Sequence, residues 1–130
     1  MNESVLEHIN LTVPDPQATA ALLCELFGWH IRWQGDSIHG GTTIHVGGHE
    51  SYLALYRHQE QSVDSAQSYF RQHALNHVGI VVDDLDEVEK RVIEYGLTPP
   101  SHANYEPGRR FYFRDENSLE FEVITYADDA

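Results

Sequence analysis

Two short runs constrain this chain more than anything else in it: His8-Ile9-Asn10-Leu11-Thr12-Val13 and His77-Val78-Gly79-Ile80-Val81-Val82. In each, a histidine opens a stretch where large apolar residues alternate with polar or smaller ones, the period of a strand with one buried face. Behind each come an acidic cap, a stretch of helical period and a glycine, Gly28 in the first case and Gly96 in the second. The histidines stand 69 residues apart and the glycines 68. A register held over that distance predicts two copies of one supersecondary unit, with a histidine at the same point of both.

Read in order, the first copy is a β-strand over Val5 to Val13 with Ile9, Leu11 and Val13 on one face and His8, Asn10 and Thr12 on the other. Pro14-Asp15-Pro16 stops it and caps a helix running to about Phe27, with Leu22, Leu23, Leu26 and Phe27 as its apolar stripe. Three strands follow, Trp29 to Trp33, Thr42 to Val46 and Tyr52 to Tyr56, divided by the pairs Gly40-Gly41 and Gly47-Gly48. Alternation puts His45, Tyr52, Ala54 and Tyr56 on the same polar face as His8. The Gln- and Ser-rich stretch 58–74 reads as a linker with a short helix around Ser65 to Gln72.

The second copy has Val78, Ile80 and Val82 facing a helix over Leu85 to Tyr95, whose stripe is Leu85, Val88, Val92 and Ile93. Then come a loop from His102 to Arg109, a strand over Arg110 to Arg114, a tight turn over Asp115 to Ser118 and a last strand over Leu119 to Thr125. In that strand Phe121 and Val123 face the helix, leaving Glu120 and Glu122 on the inner side. The fold expected is α+β: two βαβββ modules in tandem, 1–57 and 75–126, joined by 58–74 in one domain, their curved mixed sheets forming a partly open cup.

Charge narrows the partners. Eight Lys and Arg against 21 Asp and Glu give a net charge of −13, which disfavours nucleic acid and anionic membrane surfaces. No apolar run reaches the roughly 20 residues that span a bilayer, nothing near Met1 reads as a signal peptide, and a cytoplasmic location is expected. The lone Cys24, set among Ala20, Leu22, Leu23 and Leu26, reads as a packing residue. Trp29, Trp33, Tyr69 and Phe70 read as packing or interface aromatics.

The polar faces carry the chemistry. Two imidazoles and a carboxylate from three strands make a facial triad that holds a divalent ion and leaves positions open for substrate; His8, His77 and Glu122 are the candidates. The same residues are equally inward polar side chains satisfied by their neighbours, and Glu120, on the same face, competes with Glu122.

The whole chain resembles the vicinal oxygen chelate superfamily, which contains glyoxalase I, extradiol dioxygenases, fosfomycin-resistance transferases, methylmalonyl-CoA epimerase and bleomycin-binding proteins. The resemblance lies in His8 before a capped helix ending Leu26-Phe27-Gly28, in His77-Val78-Gly79-Ile80-Val81-Val82-Asp83-Asp84-Leu85, and in Phe111-Tyr112-Phe113-Arg114-Asp115-Glu116-Asn117-Ser118-Leu119-Glu120-Phe121-Glu122. It implies His8, His77 and Glu122 as metal ligands and selects Glu122 over Glu120. Where four-ligand members carry a further donor this chain has Ala54, so the three-ligand members are the nearer match. In the turn, Glu116 and Ser118 replace the family's usual Pro and Gly.

The resemblance further implies Fe(II) or Mn(II), with Zn(II) or Ni(II) as other candidates, chelated by two adjacent oxygens of a small-molecule substrate. Tyr112, ten residues before Glu122, is the candidate catalytic hydroxyl, and Asn10, His45, Tyr56 and Arg110 are candidate substrate contacts. Dioxygenase-like chemistry is preferred to lyase, isomerase or transferase chemistry. The rival is a non-catalytic binder that sequesters a small molecule. A homodimer is expected by the same analogy.

Overall fold

The computed structural model describes residues 3–62, 68–98, 101–105 and 108–126. The chain divides into two compact units, 1–63 and 64–130. The first has the order β1 (His8–Thr12), α1 (Pro16–Phe27), β2 (His30–Asp36), β3 (Thr42–Gly47) and β4 (Tyr52–Arg57). The second has β5 (Val78–Val81), α2 (Leu85–Glu94), β6 (Ser101–Tyr105), β7 (Gly108–Arg114) and β8 (Glu120–Thr125). Each is a βαβββ module, as the repeat predicts, and each carries one mixed sheet of four strands, ordered β1-β4-β3-β2 and β5-β8-β7-β6.

The helices begin and end where their caps dictate. Asp15 accepts the Ala18 amide at 3.1 Å, and Asp84 accepts the Glu87 amide at 3.0 Å, satisfying donors that the first turn leaves open. Gly28 sits at φ 67° and Gly96 at φ 101°, left-handed backbone where a Cβ is penalised, and each helix stops there. Asp86 and Glu87 in the first turn of α2 and Arg91 in its last turn complement the helix dipole.

Burial follows the strand alternation for most of the helix-facing residues, though Ile9 of β1, expected on that face, is 37% exposed. In the first unit Ala20, Leu22, Leu23 and Leu26 of α1 are buried, as are Ile44, Val46, Leu53 and Leu55 of β3 and β4. In the second, Leu85, Val88 and Val92 of α2 are buried along with Phe111, Phe113, Phe121 and Val123. Phe113 and Phe121 stack at 5.1 Å between centroids, a contact beyond simple area burial. Ile93, expected in the apolar stripe, lies 57% exposed because the narrow α2 stripe is already filled by Leu85, Val88 and Val92. Cys24 is only half-buried, and burial pushes its thiol above the ordinary range, so it is a poor nucleophile.

Two differences from the sequence reading concern local structure. His102 to Tyr105, read as the start of a loop, belongs to the edge strand β6 (Ser101–Tyr105), paired antiparallel with β7 in the register His102↔Phe111. It completes the second module, and its polar composition suits a strand with a partner on one side only. The short helix expected around Ser65 to Gln72 is a single 3₁₀ turn at Ser68–Phe70; residues 65–67 of that expectation lie outside the described residues.

The Asp115–Ser118 turn forms as expected, by side-chain chemistry. The Asp115 carboxylate accepts the amides of Asn117 at 2.8 Å and Leu119 at 3.0 Å. Ser118 adopts φ 68°, a conformation that favours glycine.

Candidate metal centre

Register places the predicted site residues on one face of each sheet. In the first unit His8 pairs with Tyr52, Asn10 with Ala54 and Thr12 with Tyr56 between β1 and β4, while His45 pairs with Ala54 between β3 and β4. Directly paired residues share a face, so these form the polar surface opposite α1. In the second unit Gly79 pairs with Glu122, Glu122 with Tyr112, and Arg114 with Glu120. His77 stands immediately before β5 on the same face as Glu122.

His77 and Glu122 meet. His77 Nε2 lies 3.0 Å from Glu122 Oε2. The other ring nitrogen, Nδ1, lies 3.0 Å from the Tyr69 hydroxyl, which itself donates to Glu120 Oε1 at 2.7 Å. Because that hydroxyl has one proton and gives it to Glu120, it accepts from His77 Nδ1–H. In the neutral ring, Nε2 then presents a lone pair toward the Glu122 carboxylate, an arrangement that a metal ion between the two atoms would satisfy. Two ligand atoms at right angles on an ion, with bonds of about 2.1 Å, stand about 3.0 Å apart. The pair therefore fits two adjacent positions of a divalent centre.

The two glutamates are held differently. Glu122 Oε1 accepts Arg110 Nη1 at 2.7 Å, leaving Oε2 to face His77. Glu120 receives both Tyr69 and, at 3.0 Å, Arg114 Nη2, so its two oxygens are engaged away from His77 Nε2. These contacts favour Glu122 as the ligand. Arg110, a candidate substrate contact, is buried at 8% exposure against Glu122 and the Gly108 carbonyl; it neutralises the carboxylate. Tyr112 brings its ring edge-on to His77, 6.0 Å between centroids.

His8 repeats the plan in the first unit. Its Nδ1 is 2.9 Å from Glu7 Oε1, which leaves Nε2 as the outward nitrogen, and its side chain is 44% exposed. The bond from the His8 ring holds the Glu7 carboxyl below the usual carboxylate range. Behind His8 the rings form a column across the sheet: His8 on Tyr52 at 4.8 Å, Tyr52 on His45 at 4.5 Å, and His45 beside Trp33 at 5.1 Å. Arg32 lies 4.5 Å from the Tyr52 ring centre. Burial first, then the charges of His8 and Arg32, pull the His45 imidazole below its ordinary range.

Two candidate substrate contacts of this unit differ. Tyr56 ties its hydroxyl to the Ile38 carbonyl at 2.6 Å, a structural anchor at the rim of a cleft of about 420 Å³ that also includes Thr12, His39, His58 and Gln61. Asn10 is exposed beside buried Ala54. Ala54 carries no donor, as its place in the sequence requires.

Within either unit, no three His, Cys, Asp or Glu side chains among the described residues gather into a metal-holding group. The second unit alone thus offers a two-ligand edge, His77 and Glu122. Glu120, considered from sequence as a rival ligand to Glu122, instead binds the Tyr69 hydroxyl and Arg114, and neither Tyr69 nor Arg114 was assigned to the site from sequence. An isolated tyrosine eight residues before the histidine, in an otherwise Gln- and Ser-rich stretch, was the available signal.

The model of the Glyoxalase/Bleomycin resistance protein/Dioxygenase superfamily matches residues 5–123. No curated protein matches the sequence closely enough to count as a relative. Among solved structures, the chain is similar to a glyoxylase/bleomycin resistance protein/dioxygenase domain from Frankia sp. EAN1pec, with a TM-score of 0.80, 20% identity, and coverage of 95% of this chain and 98% of that one. It is also similar to a mutant of the fosfomycin resistance protein FosX from Listeria monocytogenes, complexed with Mn(II) and 1S,2S-dihydroxypropylphosphonic acid (TM-score 0.72, 20% identity, coverage 98% and 96%). A third is TnmS3, an antibiotic binding protein from Streptomyces sp. CB03234 (TM-score 0.72, 20% identity, coverage 96% and 98%). At such identities the likeness establishes a shared fold. No helix among the described residues is long and apolar enough to cross a membrane.

Proposed function

The chain belongs to the Glyoxalase/Bleomycin resistance protein/Dioxygenase superfamily, and from that premise we propose that it is a divalent-metal enzyme acting on a small substrate with two adjacent oxygens. The observation that carries this reading is the 3.0 Å approach of His77 Nε2 to Glu122 Oε2, with Nδ1 already committed to Tyr69. His77 and Glu122 would hold the ion, with His8 as third ligand by family resemblance; Fe(II) or Mn(II) suits this donor set. When bound, the ion supplies Lewis acidity toward the substrate's oxygens.

The chain's own residues have distinct parts in this proposal. Arg110 offsets the Glu122 charge and holds its Oε1, directing Oε2 to His77. Tyr112, on the same face and near His77, is the hydroxyl able to hold or move a proton at the substrate. Asn10 and His45 can offer hydrogen bonds to a polar group. We keep a dioxygenase-like reaction ahead of lyase, isomerase or transferase chemistry, and a homodimer belongs to the same proposal.

A binding role has one observation in its favour, the column of rings from His8 to Trp33, which suits a flat apolar compound. Turnover separates the two. Protein loaded with Fe(II) or Mn(II) is offered catechols with an oxygen electrode, and epoxides and α-hydroxy ketones with product detection by NMR. Turnover that disappears in Tyr112→Phe and His77→Ala supports the enzyme. Tight retention of an unaltered aromatic compound, equal in wild type and His77→Ala, contradicts it.

A further inference from the structure

We propose that Tyr69, backed by Glu120 and Arg114, is a positioning residue that selects which nitrogen of His77 is available to a metal ion. This rests on the metal reading above for its purpose but on independent geometry for its mechanism. Tyr69 is 55% exposed and comes from the 3₁₀ turn before β5, outside the apolar core, so packing does not explain its placement. Its hydroxyl is nonetheless bonded twice, to His77 Nδ1 at 3.0 Å and Glu120 Oε1 at 2.7 Å.

Polarity runs one way along this chain of bonds. Arg114 Nη2 donates to Glu120 Oε2 at 3.0 Å and fixes the carboxylate, while Arg114 Nη1 is held by the Ser118 carbonyl at 2.8 Å. The Glu120 carboxylate has no proton to offer, so Tyr69 must be the donor to it. The Tyr69 oxygen is then an acceptor for the ring, and the ring proton is drawn to Nδ1. Without Tyr69, the carboxylates that face His77 among the described residues are Glu122, 3.0 Å from Nε2, and Glu120, 3.6 Å from Nδ1; the nearer one would draw the remaining proton to Nε2 and block that atom as a ligand. A histidine bound to metal commonly donates its other N–H to a carboxylate or carbonyl, and loss of such a partner lowers affinity by about 10- to 100-fold. Here the tyrosine relays that role from Glu120.

The test is nitrogen-15 NMR of metal-free protein above the usual histidine titration range, together with Mn(II) titration followed by electron paramagnetic resonance. The His77 signal is assigned by its loss in His77→Gln. In wild type the neutral ring should carry its proton on Nδ1; in Tyr69→Phe it should move to Nε2, and Mn(II) affinity should fall about 10- to 100-fold. Glu120→Gln retains an acceptor for the hydroxyl, and it should keep the wild-type tautomer and lose less affinity than Tyr69→Phe. A proton on Nε2 in wild type, or an unchanged tautomer in Tyr69→Phe, overturns the inference. If wild type takes up no Mn(II) while the tautomer still shifts in Tyr69→Phe, the positioning stands and the metal reading fails.

Discussion

The pairing of Arg110 with Glu122 makes a quantitative prediction about stability. The two side chains are 9% and 13% exposed and share a 2.7 Å bond. Replacing Arg110 with Met keeps most of the volume but removes the cation. A hydrogen bond to a charged group contributes about 1.5–3 kcal/mol, and breaking a buried ion pair from one side costs roughly 3–5 kcal/mol when the survivor is stranded. Glu122 is not fully stranded, because His77 remains 3.0 Å from its other oxygen. The lower end therefore applies, about 2–3 kcal/mol.

With a urea slope of roughly 1–3 kcal/mol per molar, the unfolding midpoint should drop by about 0.7–3 M. Far-UV circular dichroism is the appropriate probe. It reads the secondary structure of both units, whereas Trp29 and Trp33 both lie in the first and Arg110 lies in the second. The double variant Arg110→Met/Glu122→Leu removes both charges, and it should return to within about 1 kcal/mol of wild type, since buried pairs are often replaceable by apolar residues. A single variant losing less than about 0.5 kcal/mol, or a double variant losing as much as the two single variants together, would refute the assignment of Arg110 to Glu122.

Two other predictions concern the Asp115 turn. Burial raises the Asp115 carboxyl above its ordinary range, opposed in part by the Leu119 and Asn117 amides. A raised folded-state value means that stability is fully present below the unfolded value and is lost as pH rises through the folded one. Asp115→Asn keeps an acceptor for both amides and removes that loss. Its urea midpoint relative to wild type should therefore improve as pH rises from about 4 to neutrality; a gap that is constant or widens toward acid contradicts this. Ser118, at φ 68°, should tolerate glycine well: Ser118→Gly is expected to raise stability by about 0.5–1 kcal/mol in thermal unfolding, and a loss would show that the serine side chain holds the turn.

Much of this architecture was legible because its signals are local. Alternation from His8 to Val13, the Asp15 and Asp84 caps and the glycines at positions 28 and 96 each report on a few neighbouring residues, and the repeat confirms one set by the other. The edge strand β6 was not legible, since Ser101-His102-Ala103-Asn104-Tyr105 carries no apolar alternation and is a strand through its pairing with β7. The face of Glu122 followed from alternation, but its partners did not. Arg110 reaches it across the β7–β8 hairpin, and Tyr69 reaches His77 and Glu120 from a turn with no periodic pattern. Such contacts depend on how far individual side chains extend, which a period of two residues does not encode.

The central claim is that His77 and Glu122 are metal ligands, and metal content tests it most directly. Untagged protein, purified without added metal and then titrated with Mn(II) and Fe(II), should hold about one ion per chain by elemental analysis, whereas His77→Ala and Glu122→Gln should hold none. Wild-type protein that stays metal-free through titration with Mn(II), Fe(II), Zn(II) and Ni(II), or a His77→Ala variant with unchanged stoichiometry, would contradict it.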